Sequence, residues 1–308
     1  MSKILVVGTV AFDEIITPFG ETGKILGGSA SYISMAAAKL SSDIGIVSVI
    51  GNDFPKEYIQ KFTERNIDIS GIDQLENEKT FYWKGKYHND LNKRDTLITE
   101  VNALAHFNPK VPENFKNAEF LMLGNLHPLV QQSVIEQMET RPKMIALDTM
   151  NFWMDTAWDE LISVIKLIDI LIVNDEEARQ LTNEYSLVTA AHKIQEMGPK
   201  FVIIKKGEHG ALLFHGKKIF FAPALPLEEV FDPTGAGDTF AGGFMGSLAK
   251  TGFISFESMK KAVICGSNLA SFTVEKFGTD RLESLSDDEI KSRLQDFVSL
   301  TQFDIELA

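Results

Sequence analysis

Short apolar runs recur along the chain at residues 4–7, 44–50, 120–123, 144–147, 170–173 and 202–204. They are rich in Val, Ile and Leu and lack polar alternation, so each reads as a strand buried on both faces. Between them lie stretches of helical character, at 30–40, 56–65, 129–139, 158–167, 176–181 and 187–197. Strand and helix in alternation predict a mostly parallel central sheet with helices on both faces, a three-layer α/β/α domain. Residues from 8 through 28 read as polar and turn-forming. A hairpin is expected at 211–214 and 218–221, turning at His215-Gly216. The last third reads as helices over 238–250, 256–273 and 287–300, with Ser286-Asp287-Asp288-Glu289 spaced as a cap for the final one.

One region breaks the pattern. No helical period appears from about residue 72 to 102. Within it Phe81, Trp83 and Gly85 interleave with Tyr82 and Lys84, residues 96–101 form a second extended segment, and 88–95 is charged and loop-like. This predicts a small β-rich insertion, exposed on one side. Such a sheet has an edge to cover. The aromatic run Phe81-Tyr82-Trp83 therefore either lines a ligand pocket or packs against the same lid of a second copy, giving a homodimer. No repeat, low-complexity tract or linker divides the chain. Residues 1–308 read as one domain, with a β lid drawn from about 12–25 and 72–102.

Composition narrows the function. The 308 residues are 44% hydrophobic and 24% charged, enough for a large core without staples. A net charge of −13 argues against general nucleic-acid binding, which needs phosphate neutralisation, but leaves room for a small phosphorylated ligand at a local site. The single cysteine, Cys265, excludes an internal disulfide and fits a reducing compartment. In Ala262-Val263-Ile264-Cys265 it reads as a buried small hydrophobe. The first apolar run is too short for a signal peptide and no run approaches membrane-spanning length. A cytoplasmic protein with no membrane partner is expected.

The candidate chemistry lies in Asp232-Pro233-Thr234-Gly235-Ala236-Gly237-Asp238-Thr239-Phe240. A glycine-rich turn that opens a helix exposes N–H groups at the positive end of the helix dipole, which makes a cradle for a phosphoryl group. A carboxylate there, Asp238, suits a base that takes the proton of an attacking hydroxyl. The N–H groups of Gly235, Ala236 and Gly237 would stabilise the charge that develops. From local composition alone Asp238 reads also as an ordinary N-cap. There is no G-x-x-x-x-G-K-[ST] motif, and no glycine fingerprint after the first strand to support a dinucleotide-binding dehydrogenase.

The segment from Asp232 to Phe240, continued by Ala241-Gly242-Gly243-Phe244, resembles the C-terminal signature of the ribokinase-like (PfkB) carbohydrate and nucleoside kinases. Gly8 through Asp13, Gly27-Gly28-Ser29-Ala30 and Asn174-Asp175-Glu176-Glu177 resemble further motifs of that family, in order and spacing. The resemblance implies Asp238 as base and Gly235, Ala236 and Gly237 as anion hole. It implies Asp13, Gly27 and Gly28 at the acceptor, with Asn174 and Glu177 acting through Mg²⁺ and water. Lys205 and Gly207 would lie near the nucleotide, and Asn268 and Gly278 near the adenine. Asp232 and Thr234 resemble part of a monovalent-cation site, which implies K⁺. Ser29 and Tyr32 stand where ribokinase has a lysine and an asparagine that hold its sugar, so Tyr32 either stacks on the acceptor or packs. Arg94, in the lid, is kept as a substrate contact. The expected reaction is transfer of the ATP γ-phosphoryl group to a hydroxymethyl of a small sugar. The alternatives are a nucleoside acceptor, or a silent binder on the same scaffold.

Overall fold

The computed structural model describes residues 2–302. The chain opens with β1 (Ile4–Val7), leaves for β2 (Ala11–Thr17), β3 (Gly20–Glu21) and β4 (Ile25–Gly27), and returns through α1 (Ser29–Ala38) to β5 (Ile44–Gly51). After α2 (Lys56–Thr63) and β6 (Ile67–Leu75) it leaves again as β7 (Tyr82–Tyr87) and β8 (Arg94–Glu100). Then come β9 (Phe120–Leu123), α3 (Pro128–Gln137), β10 (Met144–Asp148), α4 (Asn151–Thr156), α5 (Trp158–Ile165) and β11 (Ile170–Asn174). They are followed by α6 (Asp175–Thr182), α7 (Leu187–Met197), β12 (Phe201–Lys205) and the hairpin β13 (Ala211–His215) and β14 (Lys218–Ala222). Helices α8 (Ala236–Thr251), α9 (Phe256–Thr273), α10 (Asp280–Ser284) and α11 (Asp287–Thr301) close the described chain.

The main sheet has nine strands in the order β14-β13-β12-β11-β10-β9-β1-β5-β6, parallel except at the β12-β13-β14 end. Successive strands run outward from β1 in both directions, so a crevice opens where β1 meets β9, beyond their carboxyl ends. Alternation along each strand feeds two separate cores. Ile4, Val6, Phe120 and Met122 pack with residues of α1, α8 and α9, whereas Leu5, Val7, Leu121 and Leu123 pack with α3, α5, α6 and α7. Each such side chain, fully buried, contributes about 1.5–3 kcal/mol.

Helices α1 and α8 touch backbone to backbone. A Cβ on Gly242 would fall 2.2 Å from the carbonyl oxygen of Ile33, and one on Gly246 would fall 2.9 Å from that of Ala37. The contact matters because both helices begin at glycine turns, Gly28 and Gly235, which it holds side by side.

The second sheet runs β3-β2-β7-β8 with β4 paired to β2. Residues 11–27, turn-like in sequence yet assigned to the lid, supply three of its strands. Two expectations need correcting. Residues 67–75 form β6, an edge strand of the main sheet, so the lid does not begin at 72. The Ile67, Ile69, Ile72 spacing hid that strand, because a bulge opposite Gly45–Val47 interrupts its period of two. Strand β8 begins at Arg94, so the charged loop ends at Lys93. Short helices α4 and α10 were also not anticipated. Strand β8 is exposed along its whole length. No helix among the described residues is long and apolar enough to cross a membrane.

Gly242→Leu should destabilise the fold by about 3 kcal/mol or more, since the added side chain meets main chain that cannot yield. Gly23→Ala, where a Cβ meets nothing within 4 Å, should stay within about 0.5 kcal/mol. Urea midpoints for the two variants decide it.

Candidate active site

The turn before α8 is held by a buried carboxylate. Asp232 is fully buried; its Oδ1 accepts the N–H of Thr234 at 2.8 Å and its Oδ2 accepts the N–H of Gly278 at 3.0 Å. Burial raises its pKa. Gly235 then takes φ 73°, a left-handed conformation that a side chain would strain. A Cβ there would also fall 2.4 Å from the ring of Tyr32. Gly235 is the N-cap residue and no side chain caps the helix. Asp238 sits three residues in, so it is not the N-cap, and of the first-turn donors the Ala236 N–H is taken by the Pro233 carbonyl at 3.2 Å.

Strand ends bring charge to this turn. Asp148 ends β10, Asn174 ends β11 and Lys205 ends β12, three neighbours in the sheet. Lys205 Nζ lies 3.0 Å from Asp148 Oδ2, and a Cβ on Gly237 would fall 3.0 Å from the same Nζ. Asn174 and Glu177 form a capping box: Asn174 Oδ1 accepts the Glu177 N–H at 2.8 Å, and Glu177 Oε2 accepts the Asn174 N–H at 2.7 Å. Glu177 is nonetheless buried rather than a surface charge. Burial raises its pKa to about 7, with Asp148 adding to the rise and Lys205 and Arg94 opposing it. Asp238 is likewise raised to about 7, by burial and then by Asp148, against Lys205 and Arg94. Burial pulls Lys205 down, but Asp148 and Glu177 outweigh it and its pKa ends above the ordinary value.

Asp13 reaches the same cleft from β2. It is buried against Gly27, where a Cβ would fall 2.1 Å from its carboxyl group. Its pKa is raised to about 7 by burial and by Asp232, while the Gly28 N–H opposes the rise. Asp13 pairs with Trp83 across β2 and β7, so the two share a face of the lid. Alternation splits the aromatic run. Tyr82 turns the other way, is buried, and donates to Glu14 at 2.6 Å. Arg94 lies over the Trp83 ring at 5.6 Å, and its charge reaches Asp13, Glu177 and Asp238. A cavity of about 680 Å³ opens from Lys205 and Gly237 between apolar walls that include Leu227, Val230, Ala270 and Val274. Gly207 lines it, and Asn92 of the lid loop roofs it, donating to Glu208 at 2.8 Å.

Four expected site residues are engaged within the protein and lie outside the lining of this cavity. Asn268 is buried and donates to the Ile290 carbonyl, outside the cavity lining, because its face of α9 packs on α11. Gly278 braces Asp232 and is also outside that lining. Ser29 bonds within the turn: its N–H donates to Thr9 Oγ1 at 3.0 Å and its Oγ accepts the Thr9 N–H at 3.1 Å. Tyr32 packs rather than stacks on a ligand. It is buried beneath Gly235, and its hydroxyl finds no hydrogen-bond partner among the described residues. Asp148 was missed, although an acid closing the apolar run 144–147 carried the same strand-end signal as Lys205. Also missed was an aromatic cluster that follows Gly124, where a Cβ would fall 3.0 Å from Ser29 Oγ at the start of α1. Trp153 Nε1 donates to Asn125 Oδ1 at 2.8 Å, with His127 and Phe152 edge-on to its ring.

Among the described residues no three carboxylates or imidazoles converge on one metal position. The acids Asp148, Glu177 and Asp238 still outnumber the cations around them. That fits a magnesium ion held mainly by water and phosphate oxygens.

The profile described as pfkB family carbohydrate kinase matches residues 1–285. A cytidine kinase of Thermococcus kodakarensis is 30% identical over 90% of this chain and 98% of its own. A nucleoside kinase of Methanothermobacter thermautotrophicus is 26% identical over 90% of each chain. The structure of a putative ribokinase II from E. coli, in complex with ATP and Mg²⁺, superposes with a TM-score of 0.78 at 24% identity, covering 96% of this chain and all of the other.

Because carboxylates with raised pKa keep their protons in the fold up to about pH 7 but lose them near pH 4 when unfolded, they weaken the fold as pH rises through that window. Asp238→Asn should therefore melt higher than the wild type at pH 8, with the gain shrinking toward pH 5. A melting difference that does not change with pH would exclude this.

Proposed function

This chain belongs to the pfkB family of carbohydrate kinases, and from that premise we propose that Asp238 is the base of its ATP-dependent phosphoryl transfer. Asp238 takes the proton of an acceptor hydroxymethyl as that oxygen attacks the γ-phosphorus. The single observation behind the assignment is that Lys205 reaches the uncapped first turn of α8 at the cavity wall and its charge acts on Asp238 in that same turn. A carboxylate whose pKa is near 7 is a better base at neutral pH than an ordinary one. Gly235 and Gly237 would turn their N–H groups to the charge that develops on the transferred group, whereas the Ala236 N–H donates to the Pro233 carbonyl at 3.2 Å. Lys205 neutralises phosphate oxygens while Asp148 orients its ammonium.

Bound Mg²⁺ would supply charge neutralisation on the phosphates. Glu177, fixed by the capping box, would hold it through water and leaves one carboxylate oxygen for that purpose. The adenine belongs in the apolar end of the cavity, past Gly207. Asp13 would hold acceptor hydroxyls, with Gly27 and Gly28 shaping the space around it and Arg94 closing from the lid.

For the acceptor we favour a nucleoside over a free sugar. Trp83, on the same lid face as Asp13, offers an aromatic ring to a base, and the Thermococcus relative is a cytidine kinase. We also place a monovalent cation at Asp232 and Thr234. Two N–H groups leave lone pairs free on a carboxylate that burial disfavours. The same rate in KCl and NaCl would remove that site.

Purified protein with ATP, Mg²⁺ and a panel of nucleosides and free sugars tests the whole reading. Expected is phosphorylation of a nucleoside at least tenfold faster than of ribose, that is, about 1.4 kcal/mol in the barrier. Asp238→Asn should lose about 10²–10⁴-fold in kcat with ATP affinity retained. Near-normal turnover in that variant would refute the base, and preference for a free sugar would refute the acceptor.

A further inference from the structure

Tyr87 ends β7 and is only 5% exposed, although it stands beside an edge strand exposed throughout. It is docked on the catalytic turn: Thr234 Oγ1 donates to the Tyr87 hydroxyl at 3.1 Å. The turn is thus gripped from three sides. Asp232 holds the N–H of Thr234, the Tyr32 ring lies against Gly235, and Tyr87 takes the Thr234 side chain. The first two belong to the main body. Only Tyr87 belongs to the lid, whose strands join the body through chain segments and cover the cleft. Arg94 pairs with Tyr87 across β7 and β8 and is carried by the same piece of backbone.

We propose that Tyr87 is a positioning residue of the lid, which sets the anion-binding turn through Thr234 when the lid lies down. Gly235, next in the chain, has a left-handed backbone and lies between the held Thr234 and the Tyr32 ring. Releasing the Thr234 side chain removes one of these restraints and frees the N–H groups of the following residues to wander from the transferring phosphoryl group. The lid would then do two things in one movement: exclude water and complete the anion hole. Neither Tyr87 nor Thr234 needs to touch substrate for this. The inference rests on the phosphoryl-transfer reading above.

The test uses Tyr87→Phe, Thr234→Val and the double variant of the full chain, with ATP, Mg²⁺ and the best acceptor of the panel. Tyr87→Phe removes one oxygen and keeps the ring, so melting temperature reports whether packing survives. Expected is a fall of about tenfold in kcat, the size of one hydrogen bond, with KM for ATP little changed. The double variant should be no slower than the slower single variant, because both break the same bond. Amide exchange over residues 231–240 should quicken in Tyr87→Phe without substrates, while residues 256–273 stay as they were. Unchanged kcat, multiplicative losses in the double variant, or unchanged exchange would each overturn the proposal. A wild type that phosphorylates no acceptor would overturn the transfer reading and this proposal with it. A normal wild type beside an unaffected Tyr87→Phe overturns the proposal alone.

Discussion

The contact of α1 with α8 through Gly242 and Gly246 fixes the geometry on which everything else in the site depends. Two helices with ordinary side chains between them sit 8–10 Å apart, roughly, by their axes. Bare backbone at the crossing brings them closer. Their N-termini then converge, so the Gly27-Gly28 turn with Asp13 and the Gly235 turn with Asp238 become the two sides of one cleft. The buried ring of Tyr32 fills the gap between them. The acceptor and phosphate sites proposed for these turns would thereby be set by rigid elements.

The second constraint is charge. Burying an uncompensated carboxylate is expensive, by several kcal/mol after relaxation. This cleft buries Asp13, Asp148, Glu177 and Asp232 and draws Asp238 to its edge. Lys205 and Arg94 answer only part of it. Burial, and then the neighbouring carboxylates, raise the pKa values of Asp13, Glu177 and Asp238. Under the proposed reading, the magnesium ion that comes with the nucleotide would relieve this imbalance.

The sequence exposed most of the scaffold because both faces of the parallel strands are buried. Runs such as Phe120–Leu123 and Ile170–Asn174 have no competing reading once helices flank them. Glycine turns were legible too, since a chain needs Gly235 where φ is positive. What stayed hidden was side-chain direction. Asn268 sits at the expected point along α9, but which face of the helix it occupies depends on α11, which packs there. Tyr32 and Ser29 occupy motif positions yet point into the body. Tyr87 was invisible because its value comes from Thr234, 147 residues away in sequence. Strand β6 was lost to a bulge, and no local pattern announces one.

The alternation along β1 and β9 has a wider consequence. Ile4, Val6, Phe120 and Met122 share a layer with the two cleft-forming helices, whereas Leu5, Val7, Leu121 and Leu123 belong to the layer behind. The sheet is a bulkhead between two compartments of unequal freedom. Behind it, side chains can be exchanged and helices can drift by fractions of an ångström without disturbing the crossing of α1 and α8. In front of it, the same exchange shifts both halves of the cleft. Divergence in such a molecule should be tolerated asymmetrically, more freely in the rear compartment away from the start of α6, which carries Glu177, than in the front.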